Sequence, residues 1–252
     1  MKYFKCIFFT LLIVFWLVVF DGFIAYLDLL FDKNLIRTVV VSIATCIFLL
    51  VLVYFQKEQI FKACLFLLSF KKQNFQYLCK YFLFICLAFA LITTLAYFSK
   101  MNDLKGNDSL AYHWFLLSLL NAFSISINEE VIFRGLLAVY YRRYFGKTHA
   151  ILFSAITFTF AHFAYFEILP LITAFLFGLL SAVLMFRCKS LYPAIGLHAG
   201  WNFSYFIFNE YFQPIKIPVW GDLFEFYQIA LLLIILFGVM YKRRTTWEKV
   251  VK

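Results

Sequence analysis

Apolar runs of about 20 residues, the length that a helix needs to cross the hydrocarbon core of a bilayer, recur along this chain. In lipid, a chain satisfies its backbone only as helices or as a closed barrel. The runs are continuous rather than alternating with a period of two, which indicates helices. Hydrophobic residues make up 65% of the sequence and charged residues 14%, a balance that excludes an ordinary soluble domain.

The runs predict an all-α integral membrane protein with about eight transmembrane helices. Their approximate limits are 6–27, 35–55, 78–98, 111–140, 149–166, 168–186, 191–209 and 224–241. The fourth run is too long for one crossing, and from Asn128 onward it is expected to tilt, kink or emerge along the interface. A shorter apolar stretch, 60–70, is flanked by lysines and is predicted to be an interfacial helix.

The distribution of positive charge predicts how these helices are oriented. Most of the 23 Lys and Arg residues fall at alternate ends of the predicted spans, including both ends of the chain. The positive-inside rule therefore places both termini in the cytoplasm. The net charge of +10 belongs to loops facing an anionic leaflet, so the bilayer and no nucleic acid is the expected partner. No linker or repeat divides the sequence, and residues 1–252 are expected to form one polytopic domain.

Three polar clusters interrupt predicted spans four, five and seven, where ionisable side chains are costly and by default suggest a functional site. The clusters are Asn128-Glu-Glu-Val-Ile-Phe-Arg-Gly135, Phe158-Thr-Phe-Ala-His162 and Gly196-Leu-His-Ala-Gly-Trp-Asn202. With a rise of about 1.5 Å per residue, the polar groups of all three clusters fall in one layer near the middle of the bilayer. We therefore expect three helices to bring these side chains together.

Spacing within the clusters suggests how the side chains are arranged. Glu130 and Arg134 are four residues apart, so they share a helix face and can pair. Glu129 is rotated by about 100° from Glu130 and can point elsewhere. His198 and Asn202 also share one face. A carboxylate facing two imidazoles and an amide could activate water or help to hold a metal, and the amide could donate to an oxyanion.

Each cluster also has a purely structural interpretation. Glu130 and Arg134 could be a helix-stabilising ion pair, and His162 could be a hydrogen bonder between helices. His198 and Asn202 could hold helices together, especially because Gly196 and Gly200 allow close approach. These separate explanations would still have to account for the depth that the clusters share.

The ordered set of clusters resembles the signature of the CAAX-protease and bacteriocin-processing family, CPBP, formerly called Abi. That family shows EExxxR, FxxxH, and HxxxN or HxxxD on successive helices of an eight-span fold. The residues that carry the resemblance here are Glu129, Glu130, Arg134, Phe158, His162, His198 and Asn202. They lie within 111–209, which is expected to be the catalytic core formed by spans four to seven.

The resemblance implies an intramembrane endopeptidase similar to type II CAAX prenyl endopeptidases. The catalytic residues would be Glu129, His162, His198 and Asn202. In this assignment Glu129 is the general base that activates water, and the other three position the water and stabilise the oxyanion. The supporting residues would be Glu130, Arg134 and Phe158. A metalloprotease in which Glu129, His162 and His198 hold Zn²⁺ stays open beside metal-free glutamate catalysis.

The expected substrate is a membrane-associated peptide or a lipidated protein. The short, Phe- and Lys-rich chain favours a bacterial plasma membrane, where members of the family are tied to leader-peptide or bacteriocin processing and to bacteriocin immunity. One alternative is a non-catalytic immunity or scaffold protein that binds peptides in the same cavity. The other alternative is a proton-coupled transporter with Glu129 and the two histidines as a relay. The sequence disfavours it, because it has no repeats and no broken helices in paired positions.

Overall fold

The computed structural model describes residues 59–98, 102–104, 112–162, 167–214, 216–217, 221–222 and 224–248, with single helical positions at 40, 43 and 47. Within these residues the protein is helical apart from four very short strands. Apart from the three single positions, the first two predicted spans, 6–27 and 35–55, lie outside the described residues. Both chain termini lie outside them as well, so their cytoplasmic placement stays a prediction.

The helices are α1 Gln59–Leu67, α2 Lys72–Phe98, α3 Tyr112–Glu130, a π-helical segment Val131–Ala138 (the π segment), α4 Val139–Ala161, α5 Ile168–Cys188, α6 Tyr192–Tyr211 and α7 Phe224–Glu248. The strands are β1 Asn102–Leu104, β2 Phe212–Pro214, β3 Lys216–Ile217 and β4 Gly221–Asp222. Strand β1 pairs antiparallel with β2, and β3 pairs antiparallel with β4. The first ribbon holds the C-terminal ends of α2 and α6 at the same end of the bundle.

Three stretches of the described helices are long and apolar enough to cross a membrane: Lys72–Phe98, Phe115–Ala161 and Ile168–Cys188. The apolar part of α7, Phe224–Met240, is shorter. These helices identify an integral membrane protein, whereas the count of eight spans stays a prediction. Helix α6 was predicted to span at 191–209 but is not among the three. It is enclosed by other helices, with residues 193–200 all buried, and it carries polar groups that a lipid-facing helix would not tolerate.

Predicted spans four and five form a helical hairpin that turns at Gly146. That residue has φ 79° and ψ 176°, a conformation that glycine adopts without steric penalty. The ring of Tyr141, before the turn, lies 5.7 Å from the ring of Phe153, after it, so the two arms pack together. The irregularity expected from Asn128 onward begins at Val131, where the α-helix passes into the π segment.

The predicted interfacial helix at 60–70 is α1, which docks against the base of the bundle. Cys64 and Leu67 are buried, and the Leu191 N–H donates to the Leu67 carbonyl at 3.1 Å. A Cβ atom on Gly135 of the π segment would lie 2.5 Å from the Cys64 sulfur. Burial raises the pKa of the Cys64 thiol to about 12, so this cysteine is an inert packing group.

Helix α6 lies at the centre of the bundle, in contact with α2, α3 and α5. On the α2 side, Gly196 and Gly200 permit the close approach that their spacing predicts. A Cβ on Gly196 would overlap the Leu78 carbonyl oxygen and lie 2.9 Å from the Leu78 Cα, and one on Gly200 would lie 2.7 Å from the Phe82 carbonyl oxygen. Because α6 carries His198, this contact fixes the position of one imidazole relative to α2.

Gly196→Ala should therefore destabilise the protein by about 1–3 kcal/mol or more, because the new methyl meets backbone that cannot move aside. Gly238→Ala on α7 is the matched control: a Cβ there has no neighbour within 4 Å, and alanine should be neutral or stabilise by up to about 1 kcal/mol. Thermal unfolding in detergent compares the two variants. Equal stability would contradict the contact between α2 and α6.

Candidate active site

The candidate site begins where α3 ends. Glu129 and Glu130 are the last two residues of that helix, and the π segment follows them directly. All eight residues of the π segment are buried, including Arg134. π-Helical turns are rare in proteins as a whole. Those that occur are often at functional sites, because the altered hydrogen-bond ladder changes the direction of the side chains around it. The sequence had indicated irregular helix here but not its kind.

A buried ionic network crosses the centre of the bundle. The Glu130 Oε1 atom lies 3.1 Å from Arg134 Nη1 and 2.8 Å from His198 Nδ1. Glu130 and Arg134 are both 0% exposed, so each charge depends on the other for compensation. Arg134 Nη2 also donates to the Gly178 carbonyl at 3.3 Å, which brings α5 into the network. The predicted pairing of Glu130 and Arg134 is therefore present, and hydrogen bonds extend it to α6 through His198 and to α5 through Gly178.

Glu129 is directed to a different place. Its Oε2 atom lies 3.8 Å from His162 Nε2 and 3.8 Å from His198 Nε2. The Glu129 side chain is 20% exposed and the His162 side chain 26%, in contrast to the fully buried Glu130. Two neighbouring carboxylates thus occupy different environments, as their rotation about the helix axis predicts. Part of the Glu129 side chain is therefore exposed although its Oε2 atom is buried, whereas Glu130 has no exposed part.

The hydrogen bonds of the two histidines assign their neutral tautomers. His162 Nδ1 lies 2.9 Å from the Phe158 carbonyl oxygen, and His198 Nδ1 lies 2.8 Å from the Glu130 carboxylate. Both partners only accept hydrogen bonds, so each Nδ1 carries the proton and donates it. In the neutral form of each ring, the Nε2 atom then presents a lone pair toward Glu129. Separations of 3.8 Å exceed direct hydrogen bonds and suit a small molecule bridging the groups.

Aromatic rings enclose the polar groups. The Phe158 ring centroid lies 4.3 Å from the Arg134 Cζ atom and 4.4 Å from the His162 ring. Phe177 on α5 packs edge-on against the His198 ring at 4.9 Å and lies tilted against the Trp201 ring at 5.6 Å. These rings lower the local polarity and strengthen the electrostatic interactions among the buried charges. Phe158 therefore lies where a supporting residue is expected.

The predicted zinc ligands come together, but their spacing does not match zinc. Ligand atoms of a tetrahedral zinc ion lie roughly 3.3 Å apart, given bonds of about 2.0 Å. The carboxylate oxygen of Glu129 is 3.8 Å from each imidazole Nε2, as given above. Among the residues that the structure describes, no group of three His, Cys, Asp or Glu side chains is arranged as a metal site. The reaction proposed below therefore assigns no step to a metal.

The structure brings together six of the seven predicted residues by direct contact. They are Glu129, Glu130, Arg134, Phe158, His162 and His198. The seventh, Asn202, is half-buried and follows His198 by one turn on the same face of α6.

Sequence reasoning missed Phe177, Gly178 and Ser154. Phe177 and Gly178 lie on α5, which carries no ionisable cluster, so nothing in the pattern pointed to them. Ser154 precedes Phe158 by four residues and His162 by eight, and this spacing places all three on one face of α4. That regular spacing is the signal that could have identified it.

Comparison with known families agrees with this geometry. Residues 111–204 match the type II CAAX prenyl endopeptidase Rce1-like family. The match confirms the resemblance predicted from the three clusters, and all seven signature residues lie inside it. The Rce1-like segment covers less than half of the chain, from the start of α3 into α6. Comparison with curated proteins gives no match.

Proposed function

We propose that this protein is an intramembrane endopeptidase of the CAAX-protease type, in which Glu129 activates a water molecule. The observation that carries the proposal is the convergence of the Glu129 carboxylate with two imidazole Nε2 atoms, each 3.8 Å from Oε2. The match to the Rce1-like family supports the same assignment. The alternatives of a scaffold and a transporter have no observation of their own in the described residues.

In the proposed reaction a water molecule lies between the carboxylate and the imidazoles. Glu129 accepts one hydrogen of the water and an imidazole Nε2 accepts the other, which directs an oxygen lone pair at the scissile carbonyl carbon. As the carbon–oxygen bond forms, the water proton moves to Glu129. The carbon–nitrogen bond then breaks, and Glu129 returns the proton to the departing amine. The products are a carboxylic acid and an amine, and transfer of the acid proton to the amine leaves a carboxylate and an ammonium group.

The tetrahedral intermediate carries a negative oxygen that needs a hydrogen-bond donor. In its neutral form with the proton on Nδ1, each histidine presents a lone pair toward Glu129, so its Nε2 atom is suited to accept from water rather than to donate to an oxyanion. The Asn202 amide carries two N–H donors one turn beyond His198. We therefore assign oxyanion stabilisation to Asn202 and water positioning to His162 and His198.

Glu130 and Arg134 hold His198 in place. Glu130 accepts a hydrogen bond from the Nδ1–H group of His198. This bond sets the tautomer and the orientation of the ring, as an outer carboxylate does for an active-site imidazole. Arg134 pairs with Glu130 at 3.1 Å, so the buried carboxylate has a partner of opposite charge. Phe158 packs against both Arg134 and His162 and keeps the two parts of the site together.

The proposed substrate is a membrane-associated peptide or lipidated protein that reaches the site from within the bilayer. A bacterial plasma membrane, and a role in leader-peptide or bacteriocin processing or in self-immunity, remain predictions from the sequence. An apolar anchor supplies most of the affinity of a substrate for the membrane. Either a prenyl group or an apolar helix can be that anchor. The substrate assay therefore needs to contain both forms.

The test is hydrolysis by the purified protein in lipid nanodiscs. One peptide set carries a farnesylated CAAX terminus, and the other consists of unprenylated peptides with an apolar membrane segment. In ¹⁸O-labelled water, each cleavage should place one ¹⁸O atom in the new carboxyl group, as mass spectrometry can detect. If the folded protein hydrolyses neither set, the proposal of an endopeptidase fails.

A further inference from the structure

One buried hydrogen bond links the two helices that carry the proposed base and the first histidine. The Ser154 hydroxyl of α4 donates to the Phe133 carbonyl oxygen at 2.9 Å. Ser154 and Phe133 are both 0% exposed. Phe133 lies in the π segment, four residues after Glu129, and Ser154 lies eight residues before His162.

The contacts between these helices follow an antiparallel register. Glu129 lies opposite His162, with the oxygen-to-nitrogen distance of 3.8 Å given above. One turn further along, the Phe133 ring meets the Phe158 ring edge-on at 5.1 Å. A second turn along α4, Ser154 bonds the backbone of Phe133. The hydrogen bond thus belongs to the same row of contacts as the acid and the imidazole.

Ser154 differs from a hydroxyl that only satisfies itself within a helix. The Thr159 hydroxyl donates at 2.9 Å to the Ala155 carbonyl, four residues earlier in its own helix. That local bond is common for Ser and Thr in helices and does not connect two elements. The Ser154 hydroxyl instead reaches a carbonyl 21 residues away in the chain. It therefore restrains the position of one helix along the other.

Such a restraint matters because the other contacts described beside the π segment are rings packed on rings, and the next hydroxyl contact of the hairpin, between Tyr141 and Thr157 at 3.4 Å, lies nearer the turn. Apolar packing is non-directional, so it tolerates small sliding of one helix against another. A hydrogen bond weakens steeply when its geometry is distorted. A hydroxyl bound to the π segment can therefore hold the distance between Glu129 and His162 in a way that the packed phenylalanine rings cannot.

We propose that Ser154 is a positioning residue that sets the register between the π segment and α4, and thereby the separation of Glu129 and His162. The catalytic part of this inference rests on the proposed peptidase function. The structural part, a dependence of the His162 environment on the Ser154 hydroxyl, does not rest on it. The two parts can therefore be tested separately.

The structural test uses nuclear magnetic resonance of protein labelled with ¹⁵N in its histidines, of which the chain has only four. His162→Gln assigns the ring-nitrogen signals of His162. Ser154→Ala should shift these signals and leave those of His149 unchanged, and Ser154→Thr, which restores a hydroxyl, should return them to their wild-type positions. Ser181→Ala is the matched control, because Ser181 is fully buried and its hydroxyl has no hydrogen-bond partner in the described part of the chain.

The catalytic test measures kcat and KM on a peptide that the wild-type protein cleaves. Ser154→Ala should lower kcat by about tenfold with little change in KM, because a small displacement of reacting groups slows chemistry without weakening substrate binding. Ser154→Thr should recover kcat, and Ser181→Ala should match the wild type. A variant that is merely less stable would lose folded protein but keep kcat per folded molecule.

The outcomes separate the inference from the proposed function. Unchanged His162 signals in Ser154→Ala would overturn the positioning role whether or not the protein is a peptidase. Shifted signals with an unchanged kcat would overturn its part in catalysis. If the alanine variant does not fold, Ser154→Cys preserves the packing while exchanging the O–H for a weak S–H donor, and the same two criteria apply.

Discussion

Replacing Glu129 with Gln should lower the rate of peptide hydrolysis by about 10²–10⁴-fold while leaving the protein folded. Glutamine has nearly the shape of glutamate but cannot accept the proton of the attacking water. Glu129 is partly exposed, and the buried Arg134 charge is paired directly with Glu130, so the protein should tolerate the loss of the Glu129 charge. Initial rates at saturating substrate, normalised to folded protein, measure the effect.

Glu167→Gln provides the matched control for this substitution. It makes the same chemical change on a half-buried residue that directly precedes α5 and takes no part in the site. Its rate should equal that of the wild type. Full activity in Glu129→Gln would exclude Glu129 as the base, whatever the family resemblance implies.

The same variant distinguishes the peptidase from the scaffold that the sequence left open. A protein that only binds peptides would keep its cellular role in both Glu129→Gln and His198→Ala, because neither change removes the apolar surroundings of the site. A peptidase would lose that role in both. Complementation of a deletion strain, scored together with purified-protein hydrolysis, therefore decides between binding and cleavage.

Replacing Arg134 with Met should destabilise the folded protein by about 3–5 kcal/mol, the largest effect on stability that we expect from a single substitution here. The change leaves the Glu130 carboxylate in an environment with no exposure, where an uncompensated charge is costly. It also removes the bond to the Gly178 carbonyl and the contact with the Phe158 ring. Unfolding by a denaturing detergent, followed by circular dichroism, measures the loss.

Two further variants test the reason for that loss. Arg143→Met removes the same kind of charge from an exposed position and should change stability by less than about 1 kcal/mol. Combining Arg134→Met with Glu130→Gln removes both charges of the buried pair, so the double variant should regain part of the stability lost in the single one. If Arg134→Met is as stable as the wild type, the ionic network does not hold the helices together.

Much of the helical architecture follows from local sequence. Continuous apolar runs require helices in a lipid environment, and the described helices lie close to the predicted limits over 78–98, 111–140 and 168–186. Spacing of four residues was enough to pair Glu130 with Arg134, because neighbours on a helix face depend only on the helix geometry. The order of the three clusters was enough to recognise the Rce1-like segment.

Other features lay beyond the pattern of the sequence. The π segment could not be identified, because an extra residue in the hydrogen-bond ladder leaves no distinct mark on hydrophobic periodicity. The burial of α6 was also missed, since a helix enclosed by other helices can carry polar residues that hydropathy alone does not favour. Both features arise from packing between segments that are distant along the chain.

The sequence by itself determined that this protein is helical and membrane-embedded, and which acid, imidazoles and amide are available for chemistry. Only the tertiary structure decided that His198 bonds Glu130 through Nδ1 and faces Glu129 through Nε2, and that Ser154 links the π segment to α4. The physical reason is range. Helix formation and the pairing of neighbours on one face depend on residues within a few turns, whereas the direction of an imidazole or a hydroxyl depends on which distant backbone and side chains pack against it.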